Sequence, residues 1–80
     1  MAEMAFLGKG QEPPEDQDWV LVEGTISGYY LTTTILAGSV RKTIRRDGPF
    51  ASLGDATATA QEIADERGIA DIFVKGKPNA

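Results

Sequence analysis

Three glycines ten residues apart, Gly28, Gly38 and Gly48, divide the middle of this chain into equal lengths, and between them the side chains alternate with a period of two. Each glycine follows a small or turn-forming residue (Ser27, Ala37, Asp47), the composition of a two-residue hairpin loop with positive φ. The spacing predicts an antiparallel meander with strands at 19–26, 29–36 and 39–46. Two-residue loops set Ile26 opposite Tyr29 and Leu36 opposite Ser39, and this register assigns every side chain to a face. One face collects Val20, Val22, Gly24, Ile26, Tyr29, Leu31, Thr33, Ile35, Val40 and Ile44, with Lys42 and Arg46 as exceptions towards the edge. An apolar floor of this kind requires a cover.

The cover follows in the chain. Ser52 and Asp55 have the spacing of a capping box. Leu53, Ala56, Ala60, Ile63 and Ala64 then fall on one helical stripe, while Thr59, Glu62, Asp65 and Glu66 fall on the polar side. Gly68 suits the left-handed stop, with Ile69 folding back on the last turn. Pro49, which lacks a ladder donor, is expected to end the third strand, and Phe50 to staple the helix entry to the sheet. Beyond the helix, residues 70–75 alternate again, with Ala70, Ile72 and Val74 on one side and Asp71, Phe73 and Lys75 on the other. The right-handed crossover rule makes this a fourth strand, parallel to the first and placed beside it. The expected fold is a two-layer α+β domain, βββαβ, an antiparallel three-stranded meander with a fourth strand and one helix packed on one face.

Charge separates this domain, residues 19–76, from what precedes it. Residues 1–18 hold five acids (Glu3, Glu12, Glu15, Asp16, Asp18) against Lys9, whereas residues 19–80 carry seven charges of each sign, so the net charge of −4 belongs to the first segment. With Gly8, Gly10, Pro13 and Pro14 among those acids, residues 1–18 are expected to be a disordered leader with one apolar patch, Met4 to Leu7. Residues 77–80 are expected to be a disordered tail. The chain has no cysteine and no histidine, which removes thiolate and imidazole chemistry. Ser27, Ser39 and Ser52 have no base to activate them, and the glycines fit neither a phosphate loop nor a dinucleotide fingerprint. Glu15-Asp16-Gln17-Asp18 lacks the spacing of a calcium loop. No enzyme, cofactor or metal site is expected, and the absence of a long apolar run or signal peptide points to a soluble, cytoplasmic protein that does not enter a membrane.

Function is expected on the face the helix leaves bare. It carries Trp19, Leu21, Glu23, Thr25, Tyr30, Thr32, Thr34, Leu36, Arg41, Thr43, Arg45, Phe73 and Lys75, with Tyr30 opposite Arg45, Thr34 opposite Arg41 and Trp19 opposite Leu36. Trp19, Leu21, Leu36 and Phe73 make an apolar corner suited to a protein partner or a homodimer. Tyr30, Arg41, Lys42, Arg45 and Arg46 offer the alternative, ring and cation contacts for a nucleic acid. The same threonines and cations also have a plain role, since threonine suits strands and charge guards a sheet edge.

Overall fold

A computed structural model describes residues 2–8 and 10–76. In chain order the elements are β1 (Glu3–Leu7), β2 (Trp19–Thr25), β3 (Gly28–Ala37), β4 (Val40–Phe50), α1 (Leu53–Arg67) and β5 (Asp71–Lys75). The strands form one mixed sheet in the order β1-β5-β2-β3-β4, with β5 parallel to both its neighbours and the β2-β3-β4 meander antiparallel. The α+β two-layer class and the placing of the last strand beside β2 agree with the sequence reading. The 77–80 tail lies outside the described residues.

The helix follows its signals closely. Ser52 caps α1 through its side chain, which accepts from the Asp55 N–H at 3.1 Å, and Gly68 ends it at φ 69° with the Ile69 N–H donating to the Ala64 carbonyl at 2.8 Å. The narrow stripe Ala56, Ala60, Ile63 and Ala64 is buried against Val20, Val22 and Leu31 of the meander and Ile72 and Val74 of β5. Alanine at the contact lets the helix backbone approach the sheet closely, so the β-branched side chains beneath fill the remaining space. Phe50 and Leu53 pack at the margin of this core, which supports the stapling role read for Phe50.

The first correction concerns the leader. Glu3–Leu7 is not disordered but forms the edge strand β1, pairing with β5 from Glu3↔Asp71 to Leu7↔Lys75. Ala2 is buried in the core, Met4 packs against it, and Gln61 of α1 donates to the Ala2 carbonyl at 3.1 Å. Composition argues for disorder only when a segment has nothing to bury against. The patch Met4 to Leu7 finds the free edge of β5, which lies far away in sequence.

The second correction concerns the bends. Both hairpin loops hold two residues as expected, but they are Ile26-Ser27 and Gly38-Ser39, so that Thr25 pairs with Gly28 and Ala37 with Val40. Each shift changes the register by two, which preserves the faces near the turns. Ile26 leaves the apolar floor for the loop and is 94 % exposed. Trp19 therefore stands opposite Thr34 and Leu36 opposite Arg41, and neither the Trp19–Leu36 nor the Thr34–Arg41 pair forms.

The third correction is a β-bulge. Thr34 pairs with Thr43 and Thr33 with Arg45, leaving Ile44 as an extra residue on β4. From that point the outward and inward positions of β4 exchange. Arg45 joins the helix side with Thr33, Arg46 joins the open face with Thr32, and the Tyr30–Arg45 pair is not made. Nor does Pro49 end the strand, because β4 is an edge strand and a second register shift, between Tyr29 and Leu31, leaves Pro49 without a ladder partner, so that the strand runs on through a cis Gly48-Pro49 bond to Phe50.

Gly28 and Gly48 are held for close approach as well as for their φ of 132° and 124°. A Cβ on Gly28 would lie 2.8 Å from the Phe50 carbonyl oxygen, and one on Gly48 would lie 2.7 Å from that of Tyr29. Alanine at either position should destabilise the fold by about 2 kcal/mol or more in a denaturant titration, whereas Gly10→Ala, at an open position, should cost less. Thr33 is fully buried on the helix side and its hydroxyl has no hydrogen-bond partner. Thr33→Val should raise stability by about 1 kcal/mol in the same measurement.

Candidate functional site

The face opposite α1 is divided in two, and the division begins at Trp19. This residue starts β2 with its side chain on the open face, because Val20 and Val22 alternate towards the helix. Its ring is only 9 % exposed. The segment between β1 and β2 crosses above it, and the indole N–H donates to the Pro14 carbonyl at 2.8 Å. Arg41 of β4 closes the arrangement. Its guanidinium lies 5.0 Å from the centre of the indole ring and one nitrogen, Nη2, donates to the carbonyls of Pro14 and Gln17 at 3.0 Å each.

Other ties hold the same segment. Gln17 donates to the Asp71 carboxylate at 2.6 Å, the Leu36 N–H donates to Asp18 at 2.7 Å, and Lys75 contacts Glu12 at 2.9 Å. The hydrogen bond to Glu12 holds the Lys75 ammonium above its usual range, aided by the charge of Glu23. A cation whose pKa is raised by folding stabilises the fold below its ordinary value and loses that contribution as pH rises through the raised one. The Lys75 tie is therefore complete at neutral pH. The acidity of the leader thus has a structural use, since Glu12, Asp18 and the backbone of residues 14–17 meet donors from β3, β4 and β5.

Between this strap and the sheet runs an open groove of about 570 Å³, lined by Glu12, Pro13, Glu15, Trp19, Leu21, Leu36, Ser39 and Arg41. Of the apolar corner expected from sequence, Trp19, Leu21 and Leu36 do meet at this groove, but Trp19 lies under the strap rather than at the surface. Phe73 stands beside Leu21 in register, and the row continues to Ala5 on one side and to Thr32 and Arg46 on the other. Along this row Ala5 is exposed, and Phe73 and Leu21 are half-buried.

The cation set expected from sequence is dispersed. Arg41 serves the strap, Arg45 pairs with Asp47 at 2.8 Å, and Lys42 stands opposite Ile35 on the helix side. Arg46, displaced onto the open face by the bulge, lies 5.4 Å from the centre of the Tyr30 ring. Arg46 thus takes the place beside Tyr30 that the unbulged register assigns to Arg45.

Compared with known proteins, the chain matches no family model, no curated protein and no solved structure. No helix among the described residues is long and apolar enough to cross a membrane. Those residues hold no cluster of three acidic or other metal-ligating side chains.

Sequence reasoning missed the strap itself. Its signal was present in Pro13-Pro14, which favours an extended path, and in Asp18 immediately before a strand. Replacing Arg41 by methionine keeps an apolar stem over Trp19 and removes the donors to Pro14 and Gln17. The variant should lose about 2 kcal/mol of stability and shift Trp19 emission to the red as residues 13–17 lift, observable by fluorescence under native conditions.

Proposed function

We propose that this chain is a small non-catalytic interaction domain that binds protein through the open face of its sheet. The observation that carries this reading is the row Ala5, Phe73 and Leu21, which runs across β1, β5 and β2 on the face opposite α1 and is exposed at Ala5 and half-exposed at Phe73 and Leu21. Apolar side chains left at the surface of a folded chain mark association surfaces, and aromatic residues at the centre of such a patch contribute most to binding. The groove beside Leu21 and Leu36 extends the patch under an acidic rim made by Glu12 and Glu15.

Nucleic-acid binding through Tyr30, Arg41, Lys42, Arg45 and Arg46 has less support. A phosphate-binding surface needs several free cations on one side of the sheet. Here Arg41 and Arg46 lie on the open face five positions apart on β4, each already set against an aromatic ring, and Lys42 and Arg45 lie on the other face.

The test uses the full chain as bait in its native host, beside the single variants Phe73→Glu and Leu21→Glu. A defined protein should be recovered by the unmodified chain and fall by about tenfold or more with both variants, while Trp19 emission and the helical circular dichroism stay unchanged. Equal recovery by the variants would overturn the reading. So would retention of nucleic acid without protein, together with salt-dependent quenching of Trp19 by a single-stranded oligonucleotide.

A further inference from the structure

The two edges of the sheet are built differently. Along β4 the outer edge carries Arg41, Lys42, Arg45 and Arg46, is broken by the bulge at Ile44, and ends at Pro49. Charge, bulges and proline are the devices by which an edge strand is kept from pairing with another chain. Of these β1 has only one charge, Glu3 at its first position; it reads Glu-Met-Ala-Phe-Leu, holds no proline and pairs with β5 without a register shift. Its Phe6 aligns with Val74 on the helix side, yet α1 does not reach it and the residue is 68 % exposed.

The backbone of β1 determines how another strand would dock there. The Glu3 N–H donates to the Ala70 carbonyl at 2.9 Å, so Glu3, Ala5 and Leu7 direct their backbone groups towards β5. Alternate residues of a strand point their backbone groups to opposite sides, which leaves those of Met4 and Phe6 on the outer edge. An antiparallel copy centred on Ala5 satisfies both residues at once. Met4 of one chain then exchanges hydrogen bonds with Phe6 of the other, twice across the dyad, and the two Ala5 residues face each other as a non-hydrogen-bonded pair.

We propose that this protein forms a homodimer by antiparallel pairing of β1 with β1 of a second copy, in the register that sets Ala5 against Ala5. The strand is self-complementary in this register. Glu3 meets Leu7 and not another Glu3, and Met4 lies over Phe6 on the helix side, covering the exposed ring with a thioether contact. The methyl of Ala5 at the centre admits close approach of the two backbones. The interface is isologous and closes on itself, and the guarded β4 edges at the two outer ends prevent further growth, so the assembly stops at two. This edge contact stands whether or not the open face binds another protein.

The experiment is sedimentation equilibrium of the full chain from about 1 µM to about 1 mM, a span that brackets the affinity of a small interface. Mass should rise to twice that of the monomer, and Phe6→Lys, with unchanged helical circular dichroism and Trp19 emission, should stay monomeric throughout. Leu21→Glu should still dimerise, which separates this contact from the open face. On the unmodified chain, amide exchange at Met4 and Phe6 should slow by about tenfold or more as concentration passes the midpoint, while Ala5 and Leu7 are protected already in the monomer. A mixed sample of labelled and unlabelled chains should give a nuclear Overhauser contact between the two Ala5 α-protons. A monomer at every concentration would overturn the proposal. So would a dimer that survives Phe6→Lys, or one that lacks the Ala5 contact.

Discussion

Strand β5 is parallel to the strand on either side of it, and the rest of the molecule is arranged around that condition. Parallel neighbours cannot be joined by a tight turn, so the chain must cross the sheet to make each pair. It does so once with α1, between β4 and β5, and once with a strap that includes residues 10–18, between β1 and β2. The helix carries its alanine stripe over the aliphatic floor, and the strap carries Pro14 and Gln17 over Trp19 and Arg41. The two crossings together give a one-helix domain cover on both sides of its sheet. They also leave the row Ala5, Phe73 and Leu21 only partly covered, with Ala5 exposed and Leu21 lining the groove beside the strap.

The two covers rest on different physics. Under α1 the contact is apolar, and its stability comes from removing Val20, Val22, Leu31, Ile72 and Val74 from water. Under the strap the contact is directional, because backbone carbonyls in an extended path accept from an indole and a guanidinium. Hydrogen bonds from a charged donor to partly buried carbonyls are stronger than neutral ones, and the guanidinium also lies against the indole ring. Arg41 serves both purposes at once. That is how an arginine placed on an open sheet face comes to hold the strap in place.

Signals carried by neighbouring residues were legible in the sequence. Ser52 with Asp55, the stripe from Ala56 to Ala64, and Gly68 define α1 through contacts within a turn or two, and they hold in the structure. The alternation of residues 70–75 likewise set Ile72 and Val74 on one side of a strand, the side that the structure buries in the core. What escaped depends on contacts between distant parts of the chain. Gly28 and Gly48 read as loop residues in isolation, but they are required because β3 and β4 approach each other there to a distance that no Cβ permits. The bulge at Ile44 has no local signature, yet that single inserted residue exchanges the faces of Arg45 and Arg46 and rearranges half of the expected cation set. The leader failed for the same reason, because its composition suggests a chain with nothing to pack on and its partner β5 comes from the other end of the described residues.

That last separation bears on how the molecule is made. Synthesis proceeds from the N-terminus, so β1 leaves the ribosome before the other elements described, while its one neighbour in the monomer, β5, is the last of them to emerge. At roughly 5–20 residues per second, Met4, Phe6 and Leu7 remain without a strand to join for several seconds of translation. The meander and helix can assemble in that interval through nearer contacts, but the sheet gains its final strand only after the polypeptide has emerged through Lys75. Until then the apolar side chains of β1 have no partner strand within their own chain.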